Sequence, residues 1–244
     1  MAFCRCVFII YVNLFLNIMH KAGFVNIVGN PNVGKSTLMN LLVGERISIA
    51  TFKAQTTRHR IMGILNTPDM QICFSDTPGV LKPNYKLQEQ MLHFSEGALQ
   101  DADVLLYVTD MVEKADKNIE FLDKVRGMKV PVLVLINKID FTQQDELASK
   151  VEEWHAVLPQ AEIIPISALH RFNIDVVLRR IQDLLPESPA YFDKDQWTDK
   201  PARFFVTERS DYKAENPDII SFKDVISCVT DIQVRDEEIK ERNA

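Results

Sequence analysis

Glycine is scarce in this sequence: there are 8 in 244 residues, and none follows Gly127. That excludes collagen-like repeats and glycine-rich linkers. It also excludes, from the second half of the chain, the GxxG loop with which some small domains clamp a nucleic-acid backbone. Cysteine is sparse too. Cys4, Cys6, Cys73 and Cys228 have no zinc-like pairing and no disulfide framework, so reduced thiols in a cytosolic protein are expected. Positive charge is in deficit: 28 Lys and Arg against 34 Asp and Glu give a net charge of −6, which excludes the chain as a whole as an electrostatic nucleic-acid binder. Long apolar runs are missing except for residues 7–19, which are broken by Asn13 and Asn17 and are too short for a comfortable membrane span. Arg5 ahead of that run resembles the start of a signal peptide, but no small-residue cleavage site follows. We expect translation to begin at Met19, with residues 1–18 a non-native extension; the alternative is a membrane-associating segment or an extra helix. What remains, 46% apolar and 25% charged residues, is the composition of an ordinary globular protein.

Within that sparse glycine set, two are placed with purpose. Gly29 to Ser36 read GNPNVGKS, directly after the apolar run Phe24-Val25-Asn26-Ile27-Val28 and directly before a helix-like stretch. Strand, glycine-rich turn and helix in that order make a phosphate-binding loop. Gly29 and Gly34 permit backbone conformations a side chain would obstruct. The N–H groups of Asn30, Asn32, Val33 and Gly34, around Pro31, can then turn inward as an anion nest at a helix N-terminus, with Thr37 in its first turn. Lys35 is expected to reach the β- and γ-phosphate oxygens, and Ser36 to place a hydroxyl on Mg²⁺.

Apolar and amphipathic segments alternate through residue 185. Strands are expected at 24–28, 61–65, 71–75, 104–109, 130–136 and 162–166, and helices at 35–43, 87–99, 115–125, 143–157 and 174–185. This alternation predicts an α/β fold of the P-loop NTPase type, a mostly parallel six-stranded sheet with helices on both faces. The run Val132-Leu133-Val134-Leu135-Ile136 reads as a central strand buried on both sides. Residues 19–185 form the expected nucleotide-binding domain. Pro186, Pro189 and Pro201 mark residues 186–202 as a linker. Residues 203–207 read as the start of another strand. The charged stretch that follows, to residue 244, reads as a short remnant, frayed or disordered.

Three further motifs follow in order. Asp76-Thr77-Pro78-Gly79 closes the third expected strand; its carboxylate suits Mg²⁺, and the Gly79 N–H suits a γ-phosphate. Asn137-Lys138-Ile139-Asp140 closes the fifth. The Asp140 carboxylate can accept from both N1–H and the 2-amino group of guanine, whereas adenine offers no such pair. Two hydrogen bonds to a charged group are worth ~3–6 kcal/mol of discrimination, favouring GTP over ATP. Asn137 is expected to tie this loop to the phosphate loop, and the Lys138 stem to cover the base. Ser167-Ala168-Leu169 follows the sixth expected strand, where the Ala168 N–H can approach the guanine oxygen. Residues 44–60 read as a mobile loop that offers Mg²⁺ a second hydroxyl from Thr57, with Thr56 the alternative, and releases it when the γ-phosphate is lost.

Together GNPNVGKS, KAQTTRHRIMGI, DTPGV, NKID, SAL and DKPARFFVTE resemble the Era GTPases, over about residues 20–208. The resemblance implies GTP hydrolysis to GDP and phosphate with Mg²⁺, in a cytoplasmic, monomeric protein peripheral to the inner face of the cell membrane. It also implies binding of 16S ribosomal RNA and a part in 16S rRNA processing and small ribosomal subunit (30S) assembly, and it supports Thr57 as the switch threonine. On this reading Lys35, Thr57 and Gly79 serve the reaction, and Ser36, Thr57 and Asp76 hold the metal. Asn32 resembles the K⁺-coordinating asparagine of some related GTPases, or else braces the loop. The chain departs from the family after Glu208, as a truncated or frameshifted KH domain would. Val80 stands where Ras-type GTPases place a water-orienting glutamine. The sequence therefore leaves two alternatives beside a GTP-hydrolysing switch: a GTP-dependent binding module with negligible turnover, or a truncated product without RNA binding.

Overall fold

The computed structural model describes residues 20–51, 56–80, 86–113 and 119–215. The expected N-terminal extension, Gln55 of the switch loop and the tail beyond residue 215 lie outside the described residues. Six strands, β1 (Lys21–Gly29), β2 (Ile61–Asn66), β3 (Met70–Asp76), β4 (Val104–Asp110), β5 (Val132–Asn137) and β6 (Glu162–Pro165), form one sheet in the order β2-β3-β1-β4-β5-β6. All neighbours are parallel except β2, which pairs antiparallel with β3. Among the described residues six α-helices accompany them: α1 (Lys35–Val43), α2 (Lys86–Gln100), α3 (Ile119–Arg126), α4 (Gln144–Val157), α5 (Ile174–Leu184) and α6 (Ala202–Glu215).

The continuous apolar strands are explained by two cores, one on each face. In β4, Val104, Leu106 and Val108 join the cluster formed with Leu38 and Met39 of α1 and Val177 and Ile181 of α5. The alternate residues Leu105 and Tyr107 join the cluster of Phe121, Leu122 and Val125 of α3 and Trp154 of α4. β5 divides in the same way, with Leu133 and Leu135 on one side and Val132, Val134 and Ile136 on the other. Side chains alternate across a strand with period two, so a strand covered on both faces must be apolar at every position. Truncating one of these, Leu106→Ala for example, costs about 2–5 kcal/mol.

Two expectations at element ends need correction. β5 begins at Val132 rather than residue 130, because Pro131 has no N–H to give the ladder. Residues 203–207 are not a strand but belong to helix α6. Phe205 is buried against the α1/α5 core and stacks on Trp197 at 6.0 Å, so the helix is held by packing, not by propensity. Trp154 and Trp197 are both packing residues, the former against Tyr107.

The segment 186–202 is strapped to the sheet. The fully buried Gln71 amide accepts from the Tyr191 and Phe192 N–H groups and donates to the Phe192 carbonyl. Ile64 N–H donates to the Trp197 carbonyl, Asn66 Nδ2 to the Gln196 carbonyl, and the Thr198 hydroxyl to the Met62 carbonyl. Covering the β2 edge in this way removes a row of unpaired backbone groups. It also delivers α6 to the sheet's functional end.

Candidate functional site: a phosphate and base pocket

Parallel strands place their carboxyl ends on one edge, and four of them carry the motifs there. β1 ends at Gly29, β3 at Asp76 and β5 at Asn137, β6 leads to Ser167, and β4 ends among them at Asp110. Ligands of open α/β sheets bind in the crevice at this edge. A cavity of about 660 Å³ opens here, lined by Pro31, Asn32, Gly34, Lys35, Ser36 and Thr37 of the phosphate loop. Thr56, Thr57, Thr77 and Gly79 line its second side, and Asn137, Lys138, Asp140, Ala168 and Leu169 its third. Gly29, Asn30, Val33, Asp76, Pro78 and Ser167 are buried and are not among the lining residues.

The loop conformation depends on its glycines. Gly34 has φ 99°, and a Cβ there would lie 2.3 Å from Asn137 Nδ2. Gly29 has φ 144°, and a Cβ would lie 2.0 Å from the Val108 carbonyl oxygen. Gly79 is a case of close approach: its Cβ would meet Pro31 at 2.6 Å, so only glycine lets the Asp76–Gly79 turn lie against the phosphate loop.

At the phosphate end, Ser36 Oγ donates to Asp76 Oδ2 at 2.7 Å and lies 3.0 Å from Thr57 Oγ1, which itself donates to Asp76 Oδ2 at 3.2 Å. Of the two threonines weighed, Thr57 is thus the one joined to the serine and the carboxylate, while Thr56 lines the cavity. Asp76 is fully buried, and its Oδ1 is buried with no hydrogen-bond partner among the described residues. Two hydroxyls and this carboxylate form an all-oxygen set that fits a hard divalent cation such as Mg²⁺. Burial pushes the Asp76 carboxyl up, while the Lys35 charge and the nearby Ser36, Ser48 and Thr57 hydroxyls pull it back. Burial pushes the Lys35 ammonium down to about 8, against the charges of Asp76 and Glu113. Lys35 Nζ donates to the Asn30 carbonyl at 2.7 Å, which aims it back across its own loop. Thr77 is anchored to the β1 carbonyl of Ile27, and the Pro78 carbonyl accepts from Ser95 of α2.

The base end is a closed network. Asn137 Nδ2 donates to the Val33 carbonyl at 2.8 Å, tying the two loops together. Its Oδ1 accepts from the Ala168 N–H at 2.9 Å. The Ala168 N–H, expected to approach a guanine oxygen, is here engaged by Asn137. Ser167 Oγ donates to Asp140 Oδ1 at 2.6 Å, fixing the carboxylate assigned to the base. Lys138, in the left-handed region at φ 63°, donates to the Asn32 carbonyl at 2.6 Å and pairs with Asp110 at 2.8 Å.

Several residues at this edge have roles that the motifs do not assign. Arg60 donates to Ser75, Asn26 and Asp101, locking the end of the switch loop to the sheet. His59 sits between Phe94 of α2 and Phe204 of α6, at ring distances of 6.2 and 6.0 Å. From α6, Arg209 donates to the Arg46 carbonyl at 2.8 Å, and half-buried Glu208 is held up to about 7 by desolvation and the Asp76 charge, against Arg209 and Arg58. Glu113, just after β4, is also buried and contacts the phosphate loop. Val80, at the glutamine position of Ras-type GTPases, is buried in the apolar cluster with Val28 and Tyr107.

Comparisons with known proteins agree with this geometry. Residues 24–138 match the family described as 50S ribosome-binding GTPase. The structure of Era in complex with MgGDPNP and nucleotides 1506–1542 of 16S ribosomal RNA shares 39% identity, with a TM-score of 0.73 over 78% of this chain and 65% of that one. A point variant of Era from Aquifex aeolicus, bound to GDP and aluminium fluoride, gives 39% identity and a TM-score of 0.73 over 77% and 65%. The elongation factor SelB from Methanococcus maripaludis, at 21% identity and a TM-score of 0.54, shares the fold. This chain therefore spans about two thirds of the length of the Era structures it matches, 65%. Over that shared region, with its P-loop GTPase fold, the chain belongs to the Era family of GTPases.

Proposed function

We propose that this protein binds GTP with Mg²⁺ and hydrolyses it to GDP and phosphate as a molecular switch. The observation that carries the reading is the joining of Ser36, Thr57 and Asp76 within one hydrogen-bonded set, on the same cavity as Lys35 and Asp140. The reaction is phosphoryl transfer to water. Lys35 and the loop N–H groups stabilise charge on the phosphate oxygens, and Gly79, held against Pro31, offers its N–H beside them. Ser36, Thr57 and Asp76 would hold Mg²⁺, which when bound would supply positive charge to offset that on the phosphates. Asp140, steadied by Ser167, selects guanine. Thr57 lies on the switch loop, so its attachment links nucleotide state to loop order.

Buried Val80 supports a second reading, a GTP-dependent binding module with negligible turnover, because valine cannot orient water by hydrogen bonding. K⁺ at Asn32, which lines the cavity, is the proposed source of the extra positive charge that turnover then needs. Single-turnover phosphate release with Mg²⁺, in K⁺ and in Na⁺, separates the two: K⁺-stimulated release supports the switch, and no release in either salt supports the module.

The finer role, 16S rRNA processing and 30S assembly by a monomer in the cytoplasm and at the inner face of the membrane, is proposed through the family. One Era structure holds a 16S fragment with MgGDPNP. Here no GxxG follows Gly127, so any RNA grip uses other residues, and the truncated-product reading predicts none. Binding of the full chain to an RNA of the 3′ end of 16S, titrated against salt, decides this: tight salt-sensitive binding supports the role and its absence the truncated product.

A further inference from the structure

The segment after β4 is absorbed by no motif, yet it supports the phosphate loop from behind. Asp110 Oδ1 accepts the N–H groups of Val112 and Glu113 and so turns the chain back towards the loop. Glu113, only 9% exposed, then accepts from Asn30 Nδ2 on one carboxylate oxygen and from the Thr109 hydroxyl, at 3.1 Å, on the other. Its own carbonyl accepts from Lys150 Nζ, a buried ammonium on α4 that is also paired with Glu153. Asn30 is the residue whose carbonyl receives Lys35 Nζ.

We propose that Glu113 is a positioning residue for nucleotide binding and hydrolysis: it fixes Asn30 from behind and, through the Asn30 carbonyl, fixes where Lys35 presents its ammonium. A buried carboxylate is costly to maintain unless its oxygens are bonded, and here both are. The geometry transmits because Asn30 is held at its side chain by Glu113, just after β4, and at its carbonyl by the lysine, leaving its peptide plane little freedom. The inference rests on the GTP-binding reading above.

The test uses the full chain and reads GTP and GDP affinity, the single-turnover rate at saturating GTP, and the melting temperature. Glu113→Ala is expected to lower GTP affinity and the saturated rate about tenfold each, roughly the loss of one charge-assisted hydrogen bond per quantity. Glu113→Gln, whose Oε1 still accepts from Asn30 while the Thr109 hydroxyl turns to accept from Nε2, is expected to stay within about threefold of the wild type. Asn30→Ala should lose as much as Glu113→Ala, and the double variant no more than either, the non-additivity of one chain of contacts. The guanine-over-adenine ratio should not move, because Asp140 is untouched. Additive losses overturn the inference, as does a Glu113→Gln as defective as Glu113→Ala. A folded Glu113→Ala with wild-type affinity and rate overturns it as well. Should Glu113→Ala fail to fold, Asn30→Ala decides: unchanged binding and rate sink the proposal. Failure of the wild-type chain to bind GTP is a different result and removes the functional reading itself.

Discussion

The two ends of the cavity are built differently. At the base end every side chain that matters is already paired: Asn137 to Val33 and Ala168, Lys138 to Asn32 and Asp110, Ser167 to Asp140. At the phosphate end charge is buried and imperfectly matched. Its carboxyl pushed up, Asp76 has one oxygen with no hydrogen-bond partner among the described residues, as has Glu208 at its buried Oε1, and Lys35 is pushed down to about 8. A finished network gives a rigid, selective recess, whereas unmatched buried charge gives a site whose favourable state requires counter-charge. Selectivity for the base and response to the phosphates are thus assigned to different ends of one crevice.

The largest expected effect breaks the phosphate end. Lys35→Ala should weaken GTP binding by at least ~100-fold, since it removes charge-assisted hydrogen bonds of ~1.5–3 kcal/mol each; isothermal titration with GTP and GDP reads this. Next, Asp140→Asn should break the base end alone. Its amide donates where the carboxylate accepted, so preference should move from guanine towards xanthine nucleotides by ~3–6 kcal/mol, with phosphate-end behaviour intact in competition binding. Unchanged guanine preference would contradict the assignment of the base pocket. Thr57→Ala sharpens the contrast: about a tenfold loss in Mg²⁺-dependent affinity for a GTP analogue is expected, of the order of one hydrogen bond, with GDP affinity nearly unchanged. An equal loss for both nucleotides would remove Thr57 from the switch role.

The smallest effect concerns α6. Glu208 is held up to about 7 against an ordinary value of 4.5, so between these pH values the folded chain binds more protons than the unfolded one. The Glu208 contribution to stability is therefore complete below about 4.5 and lost as pH rises through about 7. Glu208→Gln should flatten that part of a melting-temperature series; an unaltered profile would show that α6 does not bury this carboxyl beside Asp76.

The sequence shows the base end and the nucleotide loop far better than the phosphate end's surroundings. Asn137, Lys138, Asp140, Lys35, Ser36 and Asp76 occur in short fixed spacings because one ligand dictates both residue and distance. Strand centres are legible for a similar reason: two apolar faces require unbroken runs such as 132–136. Residues 203–207 were misleading because Phe204, Phe205 and Val206 suit a strand by local preference, and only packing of Phe205 on Trp197 and the α1/α5 core makes them helical. Glu113 carries no periodic or motif signal, and its partner Asn30 is 83 positions away; Arg60 lies inside the KAQTTRHRIMGI phrase, but nothing in that phrase points to its partner Asp101, 41 positions away. The one local hint is Asp110 at the end of an apolar run, since Asp in that place favours a turn that brings the next polar residue back to the loop.

The most direct test is equilibrium binding of GTP, GDP, ATP and ADP to the full chain, with Mg²⁺ and with EDTA. The account predicts guanine nucleotides bound at least ~100-fold more tightly than adenine ones, the lower end of two hydrogen bonds to Asp140, and chelation weakening GTP more than GDP. Equal affinity for ATP and GTP, or indifference to the metal, would contradict it.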